Sequence, residues 1–444
     1  MLETDQHGYL PGRSTSTATS SVLQHIFAPL SDDQVVLVIN IDLSRAFDRV
    51  PHGLLLRKLE KYGFRGVVYD LLVSYLDGRS QAVVIDQDNS RTFSDQGSVE
   101  IGCFQGTIMA TIFFVIFLND FLYHFRQYSI TAYADDICLI LFHKNVNELF
   151  HSANEVLAQM FKWFTDNGLP INIEKSNFMV IPDVPVDSFN ININNTPIVK
   201  VPATKYLGIT IDNKLSWSDH LLPLVPRLNK TIFLFRFLRH TLPQQHLITI
   251  YHASFESVLR YGIAFWGHNT NLKTLLLLQK RCLRCLLGLK RGQSCRELFP
   301  KHNIMTIYSL YILEVCSYLH SNRNDIFTTN SQIHNHNTRH KHNIMTIYSL
   351  YILEVCSYLH SNKNDIFTTN SQIHNHNTRH KHNIHLPHHR NRIVRNNTTL
   401  GITIYNHISE QFRSQPDRSF KNKLKKIVTE RALYTIQEFL TMKI

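Results

Sequence analysis

Two adjacent carboxylates, Asp135 and Asp136, lie in TAYADDICLI (131–140) between apolar residues on both sides. Like charges in such a setting raise each other's pKa and are costly to bury unless a cation offsets them. A third carboxylate, Asp42, ends the β-branched run QVVLVINID (34–42), which reads as a buried strand. Three carboxylates converging from neighbouring strands make a hard-oxygen site suited to two Mg²⁺ ions, with Mn²⁺ as a substitute. Such a pair activates a hydroxyl nucleophile and stabilises the leaving oxygen of an in-line phosphoryl transfer. Spacing alone equally allows a polar hairpin tip at Ala134–Asp136 and a helix cap at Asp42.

The elements that must position these residues are legible in part. HGLLLRKLEKYGF and VVYDLLVSYLDG read as helices stopped by Gly63 and Gly78, and QAVVID as a strand. GTIMATIFFVIFLNDFL has helical length, SITAYADDICLILF reads as two strands around a tight turn, and Val146–Asn167 as a long amphipathic helix. KYLGITID reads as one further strand, after which the pattern turns helical from about Trp217. The expected fold class is therefore α+β, with a mainly α-helical second half.

Composition narrows the partners. The 444 residues carry a net charge of +12 and are 43% hydrophobic, with acidic residues early and basic ones dominant after about residue 220. This favours a polyanionic partner for the later part. Seven scattered cysteines suggest no disulfide framework and a reducing compartment. The polar, acidic start MLETDQHGYL does not read as a signal peptide, and the apolar run Ile108–Leu118 is too short to span a bilayer. The expectation is an intracellular protein of nucleus or cytoplasm, not secreted and not in a membrane, of unspecified oligomeric state.

Residues 301–340 recur as 341–380 with one difference, Arg323 against Lys363. Near-identity over such a length reads as a recent duplication rather than a repeat tuned to stack on itself. The unit is rich in Asn, Thr and His; 14 of the 26 histidines fall in 301–390, and metal binding by HNHNTRH is the lesser reading.

YADD (133–136) with IDLSRAFDRV (41–50) upstream resembles the catalytic core of reverse transcriptases, and more closely those of jockey-like non-LTR (LINE-type) retrotransposons. QHGYLPGRST (6–15), SYLDGRSQ (74–81), GCFQGT (102–107), INIEKSNFMV (171–180), KYLGITIDNKLSW (205–217) and FKNKLKKIVTERALYTIQEFL (420–440) resemble further blocks in the family's order. The resemblance implies a right-hand polymerase: palm with partial fingers over 1–215, a basic helical thumb over 216–300, the duplication at 301–380, and a basic tail over 381–444. It implies an RNA-directed DNA polymerase that extends a DNA primer on an RNA template with dNTPs. Asp42, Asp135 and Asp136 would hold the metals, with a backbone carbonyl of Ile41 or Leu43. Tyr133 would pack near the primer end, Phe47 would exclude a ribose 2′-hydroxyl, and Gln105 and Gly106 would lie by the nascent base pair. Lys175 would approach the triphosphate and protonate the leaving pyrophosphate.

Phe104, Thr107 and Ala110-Thr111 stand where the family usually has Pro, Ser and Gly-Pro, which alters backbone rigidity near the template. The chain also begins five residues before the QHGYLPGRST block, so the reading expects no upstream basic fingers stretch and no endonuclease. These departures leave a second reading, a catalytically dead retrotransposon remnant with residual nucleic-acid binding. For the thumb, Arg227, Lys230, Arg236 and Arg239 in a helix opened by Pro226, with Lys280, Arg281 and Arg284 beyond, are the candidate nucleic-acid contacts. Cys282 and Cys285 read as small core residues, with zinc as the alternative.

Overall fold

A strand with no polar residue before its last two positions, Val35–Ile41, must be covered on both faces and paired on both edges, and it becomes the centre of a five-stranded sheet. In the computed structural model, which describes residues 2–87, 90–104, 106–184, 190–321, 400–442 and 444, it pairs antiparallel with Asp136–His143 on one side. Asn177–Ile181 pairs antiparallel on the other, and the short Val199–Lys200 runs parallel to that strand at one edge. Ser129–Tyr133 forms the opposite edge as the first arm of a hairpin with Asp136–His143. Leu37, Ile39 and Ile41 belong to one hydrophobic core, alongside Ile137, Leu139 and Val180.

Two long helices supply most of the cover. Ile108–His124 is capped by Thr107, whose hydroxyl accepts the Ala110 N–H at 3.2 Å, and Val146–Asp166 by Asn145. They meet through Phe121, whose ring lies 5.1 Å from that of Trp163 and 4.7 Å from that of Phe164. Lys58, buried in the helix His52–Lys61, ties this layer together by donating to Asp120 at 2.8 Å and to the Phe117 carbonyl at 2.9 Å. Burial pushes the Lys58 ammonium below the usual lysine range, against the pull of Asp120.

Residues Met1–Ala18 and Val35–Val201 form one compact unit, and Thr19–Gln34 and Pro202–Ile444 the other. In the second unit KYLGITID is not one strand. Ala203–Tyr206 and Ile209–Asp212 form a hairpin, because Leu207 (φ 45°) and Gly208 (φ 85°) both turn into the left-handed region. QAVVID is likewise divided, into Ser80–Gln81 and Val84–Gln87. The rest of the second unit is helical, with Leu224–Leu238, Gln244–Tyr251, Leu272–Leu287, Ile307–Ser321 and Asp417–Arg431 as its longer elements. Gln279, fully buried, spends both halves of its amide here: it donates to Tyr251 Oη and the Met305 carbonyl, each at 2.8 Å, and accepts from Ile307 N at 3.0 Å.

The helix Ile307–Ser321 belongs to the first copy of the duplicated unit and packs on Asp417–Arg431. Ser309 Oγ donates to the Val428 carbonyl at 2.8 Å, and the His320 ring stacks on Phe420 at 3.6 Å. The second copy, with both HNHNTRH segments, lies outside the described residues. Among the described residues, no helix is long and apolar enough to cross a membrane.

Candidate active site

The ladder between Val35–Ile41 and Asp136–His143 ends where the three acidic residues stand. Ile41 pairs with Ile137, so the same register carried one step further sets Asp42 opposite Asp136. Asp135 occupies the two-residue turn Ala134-Asp135 between Tyr133 and Asp136, with Ala134 in the left-handed region at φ 56°. Strand pairing thus brings together carboxylates that are 93 residues apart in sequence. Burial raises the Asp135 carboxyl above the usual range, its own backbone N–H opposing and Asp42 adding to the rise. Burial, then Asp135 and Asp42, raise that of Asp136. The three therefore feel one another's charge, although no group of three acidic, His or Cys side chains is drawn into a finished ligand set among the described residues. Hard carboxylate oxygens gathered at one end of the sheet are donors that suit a hard divalent cation.

Asp42 is fixed through its backbone. Its N–H donates to Ser176 Oγ at 3.2 Å, and its carbonyl accepts from Asn172 N at 2.8 Å. Ser176 Oγ–H in turn donates to the Asn172 carbonyl at 2.8 Å, so the loop 172–176 grips the end of the central strand on both polar groups. Lys175 rides on this loop, exposed. The turn after the hairpin's first arm is held from the N-terminal side: Ala132 N donates to the Asp5 carbonyl at 2.8 Å, and His7 N to the Ala132 carbonyl at 2.7 Å. Sequence reasoning passed over Ser176, Asn172 and Gln6. Each is a lone polar residue whose role depends on a partner distant in sequence, so no local spacing marks it.

Phe47 is half-buried and stacks on Phe114, with centroids 4.5 Å apart. Its carbonyl accepts from Cys103 N at 2.7 Å, which zips the GCFQGT block to the segment after Asp42. Phe104, in place of the family's proline, lies edge-on to Tyr75 at 5.4 Å, with Arg79 over its face at 5.3 Å. Gly106 has φ 84° and open space where a Cβ would stand. Tyr133 is half-buried, 6.5 Å from Tyr9. Gln105 lies outside the described residues.

Of the basic candidates, Arg227, Lys230 and Arg236 are exposed on Leu224–Leu238. That helix starts two residues before Pro226 and ends before Arg239, whose Nε donates to His240 at 3.0 Å. Three others are engaged within the chain: Lys280 Nζ sits 3.6 Å over the Tyr434 ring, Arg281 donates to Asn229, and Arg284 donates to the Gln293 carbonyl. Cys282 is buried, and the Cys285 thiol faces the Ile232 carbonyl at 3.6 Å.

Residues 1–211 match the family Reverse transcriptase (RNA-dependent DNA polymerase). Among curated relatives, the chain is 27% identical over 301 residues to the "Probable RNA-directed DNA polymerase from transposon BS" of Drosophila melanogaster, covering 64% of this chain and 33% of the relative. It is 24% identical to the "RNA-directed DNA polymerase from mobile element jockey" of the same species, covering 64% of this chain and 32% of the relative. The chain thus spans about a third of the length of these relatives. Among solved structures it is similar to apo telomerase from Candida tropicalis, with 12% identity, a TM-score of 0.34, and coverage of 67% of this chain and 50% of that one. With the YADD hairpin and Asp42 at adjoining strands of one sheet, residues 1–211 match the reverse transcriptase family, and the chain is similar to polymerases of jockey-like non-LTR retrotransposons.

Proposed function

We propose that this chain carries out template-directed transfer of deoxynucleotides from dNTPs to the 3′-hydroxyl of a DNA primer on an RNA template, as a part of a jockey-like retrotransposon polymerase. The observation that carries the reading is the register that sets Asp42 across the ladder from the Asp135-Asp136 turn. Asp42, Asp135 and Asp136 would hold two divalent ions, Mg²⁺ or in its place Mn²⁺. When bound, such ions supply activation of the hydroxyl and charge stabilisation on the leaving oxygen. The chain's own groups orient the reactants. Phe47, five residues after Asp42, would exclude a 2′-hydroxyl, and Tyr133, beside the turn, would pack near the primer end. Lys175, exposed on the loop that grips Asp42, would meet a triphosphate and give a proton to pyrophosphate. Arg227, Lys230 and Arg236 on the helix of the second unit offer phosphate contacts, the role read for a thumb.

The test is primer extension by the purified chain beside Asp135→Asn and Asp136→Asn. Each substitution is expected to lower the rate by at least about 100-fold, since the charge that holds the cations is lost. Extension by the wild type no greater than by these variants overturns the reading. Retained nucleic-acid binding would then favour the second one, a remnant that binds without catalysis, to which Phe104 and Thr111 at the template block already point.

A further inference from the structure

We infer that Gln6 and Gly8 form a clamp that sets the conformation of the catalytic turn, and so act as positioning residues for the carboxylates it bears. This rests on the active-site reading above. The Gln6 side chain is buried, and its Oε1 accepts two backbone N–H groups, from Ala134 at 3.0 Å and from Gly8 at 2.7 Å. Both partners are donors, which fixes the amide orientation. Ala134 is the residue of the turn that stands in the left-handed region, at φ 56°, where a Cβ is disfavoured.

Gly8 completes the clamp from the other side. A Cβ there would stand 2.5 Å from Ala134 N, a distance that only movement of the turn could relieve. The segment carrying both residues is itself anchored. Asp5 and His7 hydrogen-bond to Ala132 through their backbones, and the His7 ring meets Thr17 Oγ1 at 2.9 Å. Gln6 is a poor choice for stability alone, because its Nε2 is buried with no hydrogen-bond partner among the described residues. An apolar residue would fill the space without that penalty. What only an acceptor can do here is hold the Ala134 N–H, and thereby the backbone leading into Asp135 and Asp136, against two carboxylates that repel each other.

The experiment uses the full chain and three variants: Gln6→Met, which keeps size and loses the acceptor; Gln6→Glu, which keeps an acceptor; and Leu141→Ala, a core truncation at the far end of the same hairpin. Amide hydrogen exchange at Ala134, Mn²⁺ binding followed by electron paramagnetic resonance, and the split between kcat and the KM for dNTP are measured on each. Gln6→Met is expected to speed exchange at Ala134 by about 10-fold or more, to weaken Mn²⁺ binding about 10-fold, and to lower kcat about 100-fold with KM little changed. Gln6→Glu is expected to restore protection at Ala134, and Leu141→Ala to lower Tm without these effects. Unchanged exchange at Ala134 in Gln6→Met overturns the clamp. Faster exchange with unaltered Mn²⁺ affinity overturns the positioning role, as does a loss in Leu141→Ala equal to that in Gln6→Met. A wild-type chain that binds no Mn²⁺ and extends no primer overturns the active-site reading instead, and leaves the clamp to be decided by exchange.

Discussion

Ser176 shows how a single hydroxyl can govern a carboxylate it never touches. It is 1% exposed, accepts from Asp42 N and donates to the Asn172 carbonyl, so removing it takes away the acceptor of the Asp42 N–H, while the Asn172 carbonyl keeps the Ser176 N–H at 3.0 Å. Ser176→Ala is expected to cost about 1–3 kcal/mol of stability, read by denaturant unfolding. It is also expected to lower kcat for primer extension more than an equally destabilising change elsewhere in the sheet. Phe47 yields a prediction of a different kind. Its ring is half-buried and stacks on Phe114. Phe47→Val is expected to raise incorporation of ribonucleotides relative to deoxynucleotides by about 10-fold or more, scored in single-nucleotide extension. A ratio that stays at the wild-type value would return Phe47 to the core.

At the scale of elements, the parts the sequence made legible are those with dense local signals. VVLVINI reads as a buried strand and YADD between two apolar runs as a hairpin, and both form. What singled out Asp42, Asp135 and Asp136 was the resemblance to reverse transcriptases, since spacing alone also allowed a polar hairpin tip and a helix cap. The misreadings share a cause. In KYLGITID the turn is made by Leu207 and Gly208, and a leucine at positive φ carries none of the usual turn chemistry. The arginine at 239 follows the apolar period of its helix, yet the helix has already ended at Leu238. Gln6 and Ser176 were illegible because their partners are remote in sequence.

The KYLGITID hairpin also makes a pH-dependent element. The short helix Ser218–Leu221 sets His220 against it, 7% exposed, with Nδ1 accepting from Thr210 N at 3.3 Å and the ring 5.7 Å from Trp266. Burial, with Lys205 adding, pushes its pKa down to about 4. The folded chain therefore holds His220 neutral while an unfolded histidine takes up a proton near pH 6.5. Stability from this site is complete above about pH 6.5 and is lost as pH falls toward 4, on the order of 2 kcal/mol by pH 5. His220→Gln keeps an acceptor for Thr210 and removes the titration. The wild-type-minus-variant difference in unfolding free energy is expected to shrink steadily from pH 7 to pH 5, and a flat difference would refute the assignment.

For the molecule as a whole, charge and exposure divide the work. The net charge of +12 is formal, but only cations not already spent inside the chain can meet a polyanion. Arg227, Lys230 and Arg236 are exposed along one helix, whereas Lys280 and Arg296 are committed to the Tyr434 ring and Arg296 also to Glu438 at 2.7 Å. Replacing Arg227, Lys230 and Arg236 together by Gln is expected to reduce the slope of log affinity against log salt by about 2–3 for an RNA–DNA duplex. Replacing Lys280 and Arg296 is expected to cost stability while leaving that slope nearly unchanged. Filter binding across a salt series separates the two.

The central strand carries one more consequence, for how the molecule comes into being. None of its ladder neighbours is local: Ile41 pairs with Ile137, and Val36 with both Phe142 and Ile181. On the ribosome, this strand emerges before its partners and has nothing to pair with until they follow. Topologies of this kind fold slowly and leave sticky segments waiting. The site at the strand's end can therefore exist only after residue 181 has been made, so the yield of native chain will depend on translation speed and chaperone supply.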